Sequence, residues 1–185
     1  DSLAVCLASE PDSLDPALNS AVDGATMLVH LFAGLAKWTE NGLVADCAQE
    51  LVEGVVNEAG TVTYTYTLKD GLKWSDGKDL KASDFEFAWK RAADPETAAD
   101  YGYMFEIVKG YGTDELAVKA IDDKTLEVTL NNAVAYWNEL LAFPTYFPVR
   151  EDVVASEAWA TEAATYVCNG PYTMADWAHH SVITL

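Results

Sequence analysis

Thirty carboxylates, three histidines and three cysteines are the side chains of this 185-residue chain with the types to do chemistry. A glycosidase would need two acids facing each other across a cleft, one of them kept protonated. The spacing offers no such pair: Asp122 and Asp123 fall where a turn is expected, and solvation accounts for them. A metal would need imidazole and carboxylate on one face. His179 and His180 are neighbours in a stretch that reads as a strand, where successive side chains point to opposite faces. No acid stands at ligand spacing beside them, so no metal or other cofactor is expected. Neither G-x-S-x-G, nor H-E-x-x-H, nor a phosphate-cradling glycine loop occurs. Cys6, Cys47 and Cys168 lack C-x-x-C spacing and can form one bridge at most. Cys6 with Cys168 is the favoured pair if both lie in strands of one sheet; three small buried thiols are the alternative. These residues describe a chain that binds and does not catalyse.

Charge narrows what it binds. Eleven basic residues among thirty acidic ones, a net charge of −19, cannot form the cationic stripe that phosphates require. Nucleic acid is excluded as a partner, and an anionic membrane surface would repel the folded chain. Hydrophobic residues at 50% with charged residues at 22% fit a soluble globular protein. No run approaches the roughly 18 apolar residues of a membrane span, and no basic n-region with an apolar h-region opens the chain. If the protein is exported, its signal and any lipid-anchor segment have been removed.

The elements that must position these residues are mixed. Leu3 to Ala8 reads as a buried strand, broken by the Pro11 to Pro16 loop. Met27, Leu28, Leu31, Phe32 and Leu35 recur at helical spacing within 24–35, with Gly34 near the end. A hairpin follows around Asn41 and Gly42. Val62 to Leu68 alternates branched and aromatic residues as strands do. Ser83 and Glu86 have capping-box spacing, and Phe85, Ala88, Trp89 and Ala92 form one helical face that Asp94-Pro95 ends. Shorter helices are expected over 101–108, 136–141 and 151–164, a hairpin over 116–130, and strands over 172–177 and 182–185. Asn169-Gly170-Pro171 is a turn. Asp76 and Asp84 read as a turn former and a helix N-terminal charge, and Trp74 as packing for the turns at Gly71 and Gly77. With no repeat and no linker, this order gives an α+β fold, not a regular βαβ alternation.

Several of these stretches, in this order, resemble the oligopeptide-binding proteins of ABC importers, the bacterial extracellular solute-binding proteins of family 5. Glu10 to Pro16 is similar to the family's SLDP loop, and Leu31 to Leu35 to its LFEGL helix end. Trp74 to Gly77 with Ala82 to Phe85 carries most of the specificity. Leu116 to Leu130 is like the hairpin of the oligopeptide branch, and Asn169 to Tyr172 like the NGPY return strand. The resemblance implies a periplasmic-binding-protein-like fold of type II, of which this chain would be a piece. Residues 1–35 would begin lobe one, 36–159 would form a complete inserted subdomain, and 160–185 would return to lobe one. The second lobe would lie outside the sequence.

The resemblance also implies a function: extracytoplasmic capture of oligopeptides in extended form, with delivery to a membrane permease by the whole receptor, at the periplasm or a lipid-anchored cell surface. Peptides would pair with receptor backbone at Ser20, Ala21 and Val22, by strand addition. Tyr101 and Phe143 would line the pocket, the latter where some relatives carry a polar ring. Another solute of the same family (nickel, haem or an oligosaccharide), a secreted enzyme and a surface adhesion module are the competing readings. A chain lacking part of lobe one is further expected to keep an exposed sheet edge or apolar patch and to self-associate.

Overall fold

The computed structural model describes residues 2–185. After an extended N-terminal segment come helix α1 (Val22–Leu31), the hairpin β1 (Ala36–Thr39) and β2 (Gly42–Ala45), then strands β3 (Val55–Val56) and β4 (Val62–Thr67). Helix α2 (Ala82–Ala93) leads to strands β5 (Val118–Ala120) and β6 (Thr125–Leu130), and short helices α3 (Trp137–Leu140) and α4 (Glu151–Val154) follow. A final hairpin is β7 (Asp176–Ala178) and β8 (Val182–Thr184).

The central sheet has the order β3-β4-β6-β5, antiparallel throughout. Period-2 alternation sets its inner face. Val62, Tyr64 and Tyr66 point inward opposite Leu130, Val128 and Leu126, and all six are buried. Phe85, Ala88, Trp89 and Ala92, spaced three and four apart on α2, are buried together and close this face. Trp89 is the hub: its ring meets Phe85, Phe105, Trp137 and Tyr146 at centroid distances of 5.3–6.4 Å. Its indole N–H donates to the Tyr146 carbonyl at 2.9 Å.

A seam joins the two ends of the chain. Asn169 pairs its side chain with both the N–H and the C=O of Ala33, at 3.0 and 2.9 Å. Gly170 donates to the Leu31 carbonyl at 2.8 Å. A side chain at Gly170 would place its first carbon 2.4 Å from that carbonyl carbon, so only glycine allows this approach. Tyr166 Oη donates to the Leu14 carbonyl at 2.7 Å. Asp15, only 2% exposed, accepts a bidentate pair from Arg91 at 3.0 and 2.6 Å and a third bond from the Trp159 indole.

Several expectations fail, each because tertiary contacts override local pattern. Leu3 to Ala8 is not a buried strand. No strand pairs with it among the described residues, and Leu3 is 88% exposed. Helix α1 begins at Val22 and stops at Leu31, where Phe32 turns extended to meet the return segment. The cap of α2 is not Ser83: Asp84 accepts the Lys81 N–H at 2.9 Å, and Glu86 reaches away to the Ala120 N–H. Over 101–108 there is only a 3-10 turn, Gly102–Phe105. The helix expected over 151–164 ends at Val154. Beyond it the Ala160 carbonyl bonds Leu14 N–H and Trp159 turns inward to Asp15. All three cysteines are free thiols; Cys6 is exposed, while Cys47 and Cys168 are buried.

Candidate ligand-contact surface

The start of α1 is built to leave backbone unpaired. Asp15 accepts the N–H groups of Leu18 and Asn19 through its carbonyl, folding the loop after Pro16 back on itself. The chain then extends through Ala21, at φ −97° and ψ 148°, before α1 begins. An α-helix has no internal partner for its first N–H groups, and no side chain caps this one. Among the described residues, the N–H groups of Ser20, Ala21 and Val22 and the Ser20 carbonyl make no hydrogen bond. The Ala21 carbonyl is already taken, by Ala25 N–H and the Asn19 amide at 3.0 Å each. All three residues are exposed, Val22 by 80%. Small side chains at 20 and 21 leave the free groups open to a strand laid alongside.

Tyr101 and Phe143 come from distant parts of the sequence and meet edge to face, ring centroids 5.3 Å apart. Both are half-buried. Asp94 caps the turn before Tyr101 by accepting Glu96 N–H, and Ala98 reverses the chain in the left-handed region at φ 54°. Phe143 is fixed by the 3-10 turn Pro144–Tyr146 behind it. Tyr146 ties the two segments together: its hydroxyl donates to the Met104 carbonyl at 2.7 Å, and its ring lies 4.3 Å from Phe105. Burial raises its phenol well above the usual range, so the hydroxyl stays a donor. Tyr103, more than half exposed, extends the aromatic group beside Tyr101 at 6.2 Å. The structure thus unites Tyr101 with Phe143. Among the described residues no hydrogen bond joins Ser20–Val22 to them, while α1 packs on the turn that follows Phe143.

Burial pushes the Cys47 thiol up to about 12 and raises Cys168 as well, so both stay protonated at neutral pH. Asp84 is raised by burial, which outweighs its bonds from Lys81 N–H and the Trp74 indole, and it serves as the α2 cap. Trp74 is buried under Arg150, whose guanidinium lies 5.9 Å from the ring centre, and so packs this loop as expected. Asp76 does more than form a turn, since Arg150 donates to both its oxygens at 2.9 and 2.7 Å. Among the described residues no three His, Cys, Asp or Glu side chains converge as a metal site. The histidine pair is nevertheless not placed as expected. It lies in the turn after β7 and not within a strand, and both rings face one acid, Glu10. Sequence spacing cannot reveal a carboxylate 169 residues away.

Comparison with known proteins matches residues 47–185 to the bacterial extracellular solute-binding proteins, family 5 Middle. The chain is 39% identical over 198 residues to the oligopeptide-binding protein OppA of Bacillus subtilis, covering 99% of this chain and 35% of that protein. It is 36% identical to a probable deoxycholate-binding periplasmic protein of Escherichia coli, covering 95% of this chain and 34% of that one. Among solved structures, Listeria monocytogenes OppA bound to peptide superposes with a TM-score of 0.82 at 36% identity, covering 89% of this chain and 34% of the other. The chain therefore spans about a third of the length of the curated relatives it matches. No described helix is long and apolar enough to cross a membrane.

Proposed function

This chain belongs to the bacterial extracellular solute-binding proteins of family 5, and we propose on that premise that it is the part of an ABC importer's receptor that offers backbone to an extended oligopeptide. The unpaired backbone of Ser20–Val22 carries the reading, within a chain that matches a peptide-bound relative along most of its length. Main-chain pairing is common to all peptides, so a receptor using it accepts many sequences. Tyr101 and Phe143 form an apolar wall. In the whole receptor a second lobe would close on the ligand, and the permease would recognise the closed form, whose population ligand binding raises. Its place is extracytoplasmic, and it catalyses nothing.

The seam supports the proposed division into 1–35 and 160–185 as pieces of one lobe, since Leu14, Leu31 and Ala33 bond directly to the return segment. Residues 36–159, with the four-stranded sheet and α2, would be the inserted subdomain. One observation favours a second solute class. Phe143 packed on Tyr101 makes this wall apolar, and a relative at 36% identity is named for deoxycholate.

Val22→Pro in the full-length receptor separates these readings. Val22 is the first residue of α1, the position where proline is best tolerated, and Ala21 before it is already extended as proline requires. The substitution deletes one free N–H and leaves the fold intact. Calorimetry with a mixed peptide library should show affinity falling about tenfold, the worth of a well-made hydrogen bond at a desolvated site, with Tm unchanged. Equal peptide affinity in the variant would reject pairing at this edge, and binding of deoxycholate in place of peptides would favour the second solute class.

A further inference from the structure

We propose that Glu10 and the turn carrying His179 and His180 form a proton-dependent clasp, closed in acid and loosened as the pH rises through the imidazole range. It fastens the segment that leads into the Asp15 loop onto the β7–β8 hairpin. The proposal is independent of what the chain binds.

The two ring nitrogens of His179 carry the argument. Nδ1 lies 2.6 Å from Glu10 Oε1, and Nε2 lies 3.0 Å from the Thr161 carbonyl. Both neighbours are acceptors. A neutral imidazole has one N–H and one bare nitrogen, so in either tautomer one contact sets lone pair against lone pair. Only the imidazolium donates to both. The Glu10 oxygens are occupied as acceptors in their turn: Oε1 receives the Trp177 indole N–H at 2.8 Å, and Oε2 receives the His180 backbone N–H at 2.8 Å. Burial opposes ionisation of Glu10, but the bonds from Trp177, His179 and His180 outweigh it and hold its carboxyl below the usual range. The additional proton therefore belongs to the imidazole.

The turn presents both backbone and ring to this acid. His180 adopts φ 61°, in the left-handed region, within the turn that the Ser181 N–H closes on the Ala178 carbonyl, and its own N–H donates to Oε2. Its ring Nδ1 stands 2.8 Å from the same oxygen. The titratable groups facing the clasp are thus Glu10 from the segment and the two histidines from the turn. From the 161 side the neutral Thr161 carbonyl faces it. Glu162 and Asp176, the nearest acids in sequence, form no hydrogen bond or ion pair with either ring among the described residues. Just before Glu10, Ala8 and Ser9 bond to Asp23 in the first turn of α1, through two N–H groups and the Ser9 hydroxyl. A segment that pairs with no strand among the described residues is thereby held at adjacent points by two acids, one of them facing two imidazoles.

The test is NMR of the isotopically labelled 185-residue chain from pH 5 to 8.5. Ring nitrogen shifts should show His179 doubly protonated while the clasp is closed. The His180 amide and the Trp177 indole N–H should lose about tenfold in hydrogen-exchange protection between pH 5.5 and 8, after correction for intrinsic rates, the worth of one charge-assisted bond. In His179→Gln/His180→Gln the protection of the Trp177 indole should start lower and no longer follow pH. A neutral His179 at pH 5.5 with protection intact overturns the clasp, and so does the same pH dependence in the double variant. The wild-type spectra decide the first point alone, so a variant that folds poorly leaves the test standing.

Discussion

The sheet body is buried and the seam partly so, and they are held by different physics. Around Trp89 the body is closed by rings in edge-to-face contact and by the inward residues of β4 and β6. That stabilisation is non-directional and follows the apolar area removed from water. In the seam, Asn169 against Ala33, Gly170 against Leu31 and Asp15 against Arg91 rely on direction and charge. The body should therefore respond to lost volume, and the seam to lost chemistry at constant volume.

Two substitutions put this contrast at risk. Trp89→Ala removes the hub ring and orphans the Tyr146 carbonyl, and should cost about 3–5 kcal/mol in urea unfolding, the largest effect expected of any single change here. Asp15→Asn keeps nearly the same volume. It nevertheless removes the charge that Arg91 and Trp159 address, and should cost about 2–3 kcal/mol, the range for hydrogen bonds to charged groups. That is below the loss from breaking a fully buried pair, because Arg91 keeps some contact with water. A cost for Asp15→Asn under about 0.5 kcal/mol, the level of an unremarkable surface change, would erase the distinction. The double change Asp15→Asn/Arg91→Met should cost less than the two single changes summed, since each alone strands the other's partner.

The same division governs what could be read from the sequence. Val62 to Leu68, the Phe85-Ala88-Trp89-Ala92 face and the 116–130 hairpin carry their periods on the surface of the sequence, and they fold as read. Burial against a common core asks only for correct alternation. Seam contacts join residues separated by 76 to 152 positions, and no local pattern encodes them. Hence Leu3 to Ala8 looked like a strand while its tether, Asp23, lay in a helix, and Trp159 looked helical while its partner, Asp15, lay in a loop. Of the candidate site, Tyr101 and Phe143 were named through the family resemblance but not paired, because their contact depends on Tyr146 bridging to Met104. Ser20–Val22 were legible only through a motif. What the structure adds is that, among the described residues, their hydrogen-bonding groups are left free apart from the Ala21 and Val22 carbonyls.

An exposed counterpart of the Asp15 pair sharpens the comparison further. Arg150 grips Asp76 and also donates Nε to Asp152 at 2.5 Å, while Lys78 reaches Asp152 at 3.0 Å. The bonds from Arg150 and Lys78 bring the Asp152 carboxyl down to about 2, and the bonds from Arg150 also lower Asp76. A carboxylate whose folded value lies below its unfolded one stabilises the fold above the unfolded value, near 3.8 here, and stops doing so as pH falls through the folded value. Asp152→Asn should therefore lower stability by under about 1 kcal/mol at pH 7, because more than half of this side chain meets solvent. The gap should stay constant down to about pH 4 and close towards pH 2. It should also shrink in 0.5 M salt, where exposed charges are screened within a few ångströms. The Asp15→Asn deficit should hardly move under the same salt. If melting curves showed both deficits falling together, the charge at Asp15 would be acting through solvent like that at Asp152, and burial would not be what sets the seam apart.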